Sequence, residues 1–146
     1  MISDRGIALI QEFEGLRLEA YPDPATGGEP WTIGIGHTGG VKQGDTCTAE
    51  EADAWLREDC TDAELCIDDH VDVALTQNQR DALISFVFNL GCPNFRSSTL
   101  LKLLNAGNYN AAAQQFQRWD RAAGREMAGL LRRRKAEAEL FMEASA

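Results

Sequence analysis

Two carboxylates and one hydroxyl stand close together near the start of the chain, in F-E-G-L-R-L-E-A-Y-P-D-P-A-T-G-G-E-P-W-T-I-G-I-G-H-T-G, residues 13–39. Glu14 closes an apolar helical pattern. Asp23 follows nine residues later between Pro22 and Pro24, and Thr32 opens a short alternating run. Two acids carried on different elements can divide the work of breaking a glycosidic bond. One donates a proton to the leaving oxygen, and the other acts from the opposite face of the sugar. The partial negative charge of a helix C-terminus, together with burial, favours a protonated carboxyl at Glu14, which suits the acid. Asp23 in a polar turn suits the ionised partner, and Thr32 adds a hydroxyl near the two carboxylates. Taken alone, Glu14 reads better as an ordinary exposed glutamate at a helix end. The constellation carries the chemistry, not the single residue.

The elements that must position these groups can be read in outline. Ser3 or Asp4 is a good N-cap, Ile2, Leu9, Ile10 and Phe13 fall near helical spacing, and Gly15 stops the helix. Leu16, Leu18 and Ala20 alternate with Arg17, Glu19 and Tyr21, which predicts a strand. P-D-P-A-T-G-G-E-P is turn chemistry, and Trp31–Ile35 reads as the returning strand. Thr48 with Glu51 forms a capping box for one long helix over about residues 48–69, its acids on the wet side. Thr76 caps a helix running to Leu90 whose apolar residues cover most of its sides, so it should be buried. Ser97 or Ser98 starts a leucine-rich short helix, Tyr109-Asn110 opens another, Gly124 breaks the chain, and a last helix begins near Ala128 around R-R-R-K. The expected fold class is α+β, mostly helical. It is a single domain over 1–146, with a small lobe at about 14–47 and a bridging helix at about 48–69. A helical lobe takes about 70–146 plus helix 3–13, and a cleft lies between the lobes.

The chain has 146 residues, 44% of them hydrophobic, which suffices for one domain with a real core. The start, M-I-S-D-R-G, lacks the basic and apolar regions of a signal peptide or signal-anchor, and no run of about 18 apolar residues follows. The expectation is a cytoplasmic product without stable membrane association. A net charge of −9 argues against a nucleic-acid partner. The charge is segregated: residues 45–72 carry eleven acids against Arg57, and residues 117–135 carry seven bases against Asp120 and Glu126. These read as two solvated faces that attract each other, or as a basic segment facing an anionic polymer. G-H-T-G-G-V-K-Q-G-D has no lysine at the offset of a phosphate loop. His37 reads as an imidazole paired with an acid of the bridging helix, Asp59 first and Glu58 next, rather than as a catalytic group.

Cys47, Cys60, Cys66 and Cys92 lack the paired C-x-x-C spacing of a zinc site, so neither metal nor cofactor is expected. In a reducing cytoplasm the default is four thiols. On one helix neither Cys60 and Cys66 nor Cys47 and Cys60 can bridge, which leaves Cys92 to meet a cysteine of the bridging helix. Cys66, on the apolar side with Ala63 and Ile67, is the better candidate for that alternative, a bridge formed after release into the periplasm.

Five stretches, E-G-L-R-L-E-A-Y-P-D, W-T-I-G-I-G-H-T-G, L-T-Q-N-Q-R-D-A-L-I-S-F-V-F-N-L-G, S-S-T-L-L-K-L-L-N-A-G-N-Y and G-L-L-R-R-R-K-A-E-A-E-L-F, together resemble the phage-type lysozymes, the endolysins of glycoside hydrolase family 24. Glu14, Asp23 and Thr32 fall on that family's Glu–Asp–Thr motif. P-A-T-G-G-E-P-W lengthens the gap between Asp and Thr, which reads as a longer hairpin tip. The resemblance implies a lysozyme-like two-lobe fold and hydrolysis, with inversion, of the β-1,4 bond between N-acetylmuramic acid and N-acetylglucosamine in bacterial peptidoglycan. It implies Glu14, Asp23 and Thr32 as catalytic residues. Gly36, His37, Phe88, Asn89, Ser98 and Thr99 would be substrate-binding. It further implies a monomer that waits in the host cytoplasm for holin-type release into the periplasm. The alternatives are a lytic transglycosylase, which needs no base for water, and a non-enzymatic peptidoglycan-binding structural module.

Overall fold

A computed structural model describes residues 1–24, 26–122, 125–126 and 128–143. Helix α1 (Asp4–Glu14) starts where Ser3 Oγ accepts from the Gly6 N–H. It leads into strand β1 (Arg17–Tyr21), which pairs antiparallel with β2 (Thr32–Gly34), Arg17 opposite Gly34 and Tyr21 opposite Thr32. Helices α2 (Ala49–Asp59), α3 (Thr61–His70), α4 (Gln77–Leu90), α5 (Cys92–Arg96), α6 (Thr99–Asn105) and α7 (Tyr109–Gln115) follow. A turn of 3₁₀ helix, a two-residue hairpin β3 (Arg121–Ala122) and β4 (Arg125–Glu126), and α8 (Ala128–Met142) complete the order. The α+β class, mostly helical with a small N-terminal hairpin, is as the residues predict. The β3–β4 hairpin was not foreseen.

The capping chemistry is where the sequence puts it. Thr48 and Thr76 both form full capping boxes, with Glu51 and Gln79 returning the bond. The expected single helix over 48–69 is instead two, divided at Cys60. Cys60 keeps right-handed helical dihedrals (φ −74°, ψ −11°), and its N–H still reaches Leu56 O at 2.9 Å, so the chain bends without fully unwinding.

Helix α4 packs against α1, α3, α5 and α8 and is the centre of the molecule. Phe86 lies at its middle with no exposure, edge-on to Phe95, Phe116 and Trp119. Such burial is worth about 2–3 kcal/mol for one ring. The expectation that α4 is apolar on most sides needs one correction: Asp81 and Ser85 are also fully buried. Asp81 accepts from Ser3 N at 3.0 Å and from Ser3 Oγ, so this acid closes the start of α1 onto α4. Of the cysteines, Cys66 and Cys92 form a disulfide with Cα atoms 5.9 Å apart, which corrects the four-thiol default. The physical reason is that Cys66 sits on the buried side of α3, which packs against α5. Cys47 and Cys60 are free.

Candidate active site

Glu14 is the last residue of α1. Gly15 (φ +78°) ends the helix there and turns its N–H onto Gln11 O at 2.8 Å. The carboxyl is partly exposed, held at one oxygen and closely approached at the other. Arg133 Nη1 donates to Oε2 at 2.6 Å. On the other side lies Gly36 (φ +70°), so close that a Cβ there would stand 3.0 Å from Oε1. The environment read from the sequence, partial negative charge and burial, therefore also contains a guanidinium.

Arg133 is itself fixed. It is 3% exposed, and its fork reaches Glu137 Oε2 through Nε at 3.4 Å and Ser85 O and Oγ through Nη2 at 3.2 and 3.3 Å. Glu137 is fully buried and accepts from Ser85 Oγ at 2.5 Å. Arg134, also fully buried, places Nη1 2.9 Å from Glu137 Oε1 as an ion pair without hydrogen-bond alignment. Its Nη2 donates to Asn89 Oδ1, and its guanidinium lies 5.1 Å over the Phe86 ring. Burial pushes the Glu137 carboxyl up and the Arg134 guanidinium down to about 10. The neighbouring opposite charges pull each group the other way. A cavity of 490 Å³ opens beside this network, lined by Glu14, Phe13, Asn89, Leu130, Arg132 and Arg133 among others.

The hairpin supplies the other two groups. Asp23 follows β1, and its backbone closes the tip: its N–H donates to Gly28 O at 2.9 Å, and its carbonyl accepts from Gly27 N at 2.7 Å and Thr26 N at 3.2 Å. Thr32 pairs with Tyr21, two residues before Asp23, so both stand at the same end of the sheet. From Thr32 the chain runs through a turn closed by reciprocal bonds between Ile33 and His37 at 2.9 and 3.0 Å. Gly36, within that turn, is the point that touches Glu14.

The profile of the phage lysozyme family matches residues 11–137. The chain belongs to that family. It is 45% identical over 147 residues to the endolysin of Acyrthosiphon pisum secondary endosymbiont phage 1, covering 98% of this chain and 99% of that one. Among solved structures, a point mutant of P22 lysozyme superposes with a TM-score of 0.90 at 42% identity, covering 98% of this chain and 99% of that one. The muramidase domain of SpmX from Asticaccaulis excentricus gives 0.89 at 41% identity, with 99% of both chains covered. The chain spans 54% of the endolysin of Bacillus phage B103.

Within this family frame, the remaining residues singled out in the sequence fall in different places. Asn89 lines the cavity beside Glu14. His37 is turned to structure: Nδ1 lies 2.7 Å from Asp59 Oδ2, and the ring stacks on Trp55 with centroids 5.0 Å apart. Ser98 is 3% exposed, and its hydroxyl is committed to the cap of α6, accepting from Leu101 N at 3.1 Å and donating to Phe95 O at 2.6 Å. Thr99 is exposed at the start of α6, and Phe88 lines a separate 240 Å³ cavity with Asp59, Asp62 and Cys92. The basic run corrects another expectation. Arg133 and Arg134 are buried and pair with Glu14 and Glu137, rather than facing a glycan or the acidic helix. Sequence reasoning missed Arg133, Glu137 and Ser85 as site residues. The signal was present as an i,i+4 Arg–Glu pair on α8, which by itself reads as a surface salt bridge.

Proposed function

We infer that the protein is an endolysin that hydrolyses the β-1,4 bond between N-acetylmuramic acid and N-acetylglucosamine in bacterial peptidoglycan, lysing the host at the end of a phage cycle. The observation that carries this reading is the clamp on Glu14, between Arg133 and Gly36, beside a hairpin that brings Asp23 and Thr32 to one end of a two-stranded sheet. Glu14 donates the proton to the leaving oxygen. Asp23 acts as base or electrostatic partner, and Thr32 orients the attacking water. Inversion at the anomeric carbon requires room for that water, with the carboxyls about 6.5–9.5 Å apart. Gly36, Asn89 and Thr99 serve the sugar surface, with Phe88, His37 and Ser98 behind them as supports. The protein works as a monomer on glycan strands, without nucleic acid or membrane, after release into the periplasm.

The test is loss of turbidity in permeabilised Gram-negative cells. The wild type clears them, Glu14→Gln loses nearly all lysis while melting normally, and Asp23→Asn is severely impaired. Glu14→Gln retaining a tenth of wild-type activity would overturn the mechanism. The products decide the reaction type, since hydrolysis leaves a reducing end and a lytic transglycosylase leaves a 1,6-anhydro sugar. The anomer formed first reports inversion.

A further inference from the structure

Three atoms of the kind that bind soft and borderline cations converge away from the candidate active site. Cys66 lies on α3, His70 one turn later on the same helix, and Cys92 at the start of α5. The two sulfurs and a ring nitrogen of His70 all lie within 4.8 Å of one another. In the structure the sulfurs are bonded to each other. We propose that reduction of this disulfide turns Cys66, His70 and Cys92 into a binding site for a zinc-class divalent cation, so that the two cysteines alternate between bridge and metal site.

The donor set is the first argument. Two thiolates and an imidazole suit zinc, and a water can take the fourth position. Cys66 is buried while His70 and Cys92 are half-buried, so the site is open to solvent on one side. The spacing is the second. Residues four apart share a helix face, which sets Cys66 and His70 side by side. The third is orientation. His70 Nδ1 donates to Cys66 O at 2.9 Å, which leaves the ring's lone pair on Nε2. Histidines that ligate metals are commonly held this way, the second ring N–H bound to a backbone carbonyl. The helix end is pinned in turn, since Asn105 Nδ2 donates to His70 O at 2.8 Å. Size also fits. When the bond is reduced the sulfurs must move to non-bonded contact, and a tetrahedron with Zn–S bonds of about 2.3 Å has edges of about 3.8 Å. Asp59 and Asp62, which line the cavity beside Cys92, add negative charge that favours a cation.

The redox step balances with a dithiol as reductant. Its two S–H bonds are exchanged for one S–S bond, and its two electrons and two protons convert the Cys66–Cys92 bridge into two thiols. The cation then displaces both protons to solvent, leaving two thiolates on the metal.

The test uses the full chain carrying Cys47→Ser and Cys60→Ala, so that only the bridge cysteines remain. A phosphine reduces the bridge, taking up oxygen from water as phosphine oxide, and is removed without air. Cobalt(II) and zinc(II) are then titrated, with absorption, proton release and circular dichroism as readouts. The reduced chain is expected to bind one cation with thiolate-to-cobalt charge-transfer bands and to release two protons, and the oxidised chain to show no such bands. His70→Ala, a change on a half-exposed helix end that should not disturb folding, should weaken zinc binding at least about tenfold, the lower end of what even outer ligand-shell changes cost. His70→Gln should do the same. Three results would overturn the proposal: no binding by the reduced chain, equal binding by the oxidised chain, or an unchanged affinity and spectrum in both His70 variants.

Discussion

At the scale of single residues, Glu14 is held by Arg133, a side chain that is 3% exposed and fixed from behind. Arg133 reaches it only because Glu137 and Ser85 fix the other arms of the guanidinium. A lysine carries the same charge but has no fork, so Arg133→Lys should keep the fold and lose activity by about tenfold or more, as small misplacements of a reacting group do. Lysis rates beside thermal melts check this. Glu137→Ala should behave differently. It strands buried Arg134 and takes from Arg133 one of its two carboxylates. Breaking a buried pair from one side costs about 3–5 kcal/mol, so the melt itself should fall. The two glycines at the site separate strain from collision. Gly15 and Gly36 both have positive φ, but an added Cβ at Gly15 meets nothing within 4 Å, while at Gly36 it meets Glu14 Oε1 at 3.0 Å. Gly15, at φ +78° and ψ 171°, lies in a region nearly restricted to glycine, so Gly15→Ala should cost only backbone strain, about 1–3 kcal/mol, with activity retained. Gly36→Ala should cost a similar amount and also displace the carboxyl, so its lysis rate should fall well below that of Gly15→Ala at equal folded fraction. The places of Glu14, Asp23 and Thr32, at a helix end, in a turn and at a strand start, were legible in the sequence because helix stop, turn and strand are local signals. Arg133 and Glu137 were not, because only the packing of α8 on α4 turns a surface-type pair into a buried clamp.

At the scale of elements, the caps were legible and the interruptions were not. Thr48, Thr76 and Ser98 each announce a helix through a side chain that bonds its own backbone. The division between α2 and α3 carries no glycine or proline, and Cys60 keeps helical dihedrals, so nothing in the residue types punctuates it. The β3–β4 hairpin has two residues per strand, too few to show alternation. Cys60 at the division is fully buried, and burial pushes its thiol from 9.0 up to about 12. The sign follows from which state holds the proton. The folded protein keeps it where the unfolded chain has lost it, so the contribution is complete below pH 9.0 and is lost as pH rises toward about 12. Denaturant midpoints measured across that window should fall more steeply for the wild type than for Cys60→Ala. Parallel slopes would show that Cys60 ionises equally in both states.

At the scale of the whole molecule, the two candidate carboxylates belong to different packing units. Glu14 rides on α1, which packs on α4 and α8, while Asp23 rides on the hairpin, which packs on α2 through β2. The units meet where α1 packs on α2 and where Gly36 approaches Glu14. Helix α3 continues from α2 onto α4, and the Cys66–Cys92 bridge fastens the far end of that α2–α3 run to α5, across a sequence separation of 26 residues. Closing a loop of that size removes unfolded-state entropy worth about 3.5 kcal/mol in the chain-entropy account. In a domain of this length each kcal/mol moves the melting midpoint by about 2–4 °C, so the loss should be near 10 °C. Reduced protein and Cys92→Ser, both with a chelator present to keep zinc away, should each melt lower by about that amount, and they should agree with one another. Neither cysteine touches Glu14, so lysis at 25 °C should persist in both. Thiol counting on the denatured oxidised chain should find two, Cys47 and Cys60. A count of four, or a Cys92→Ser variant that melts with the oxidised wild type, would show that the bridge does not constrain the protein in solution.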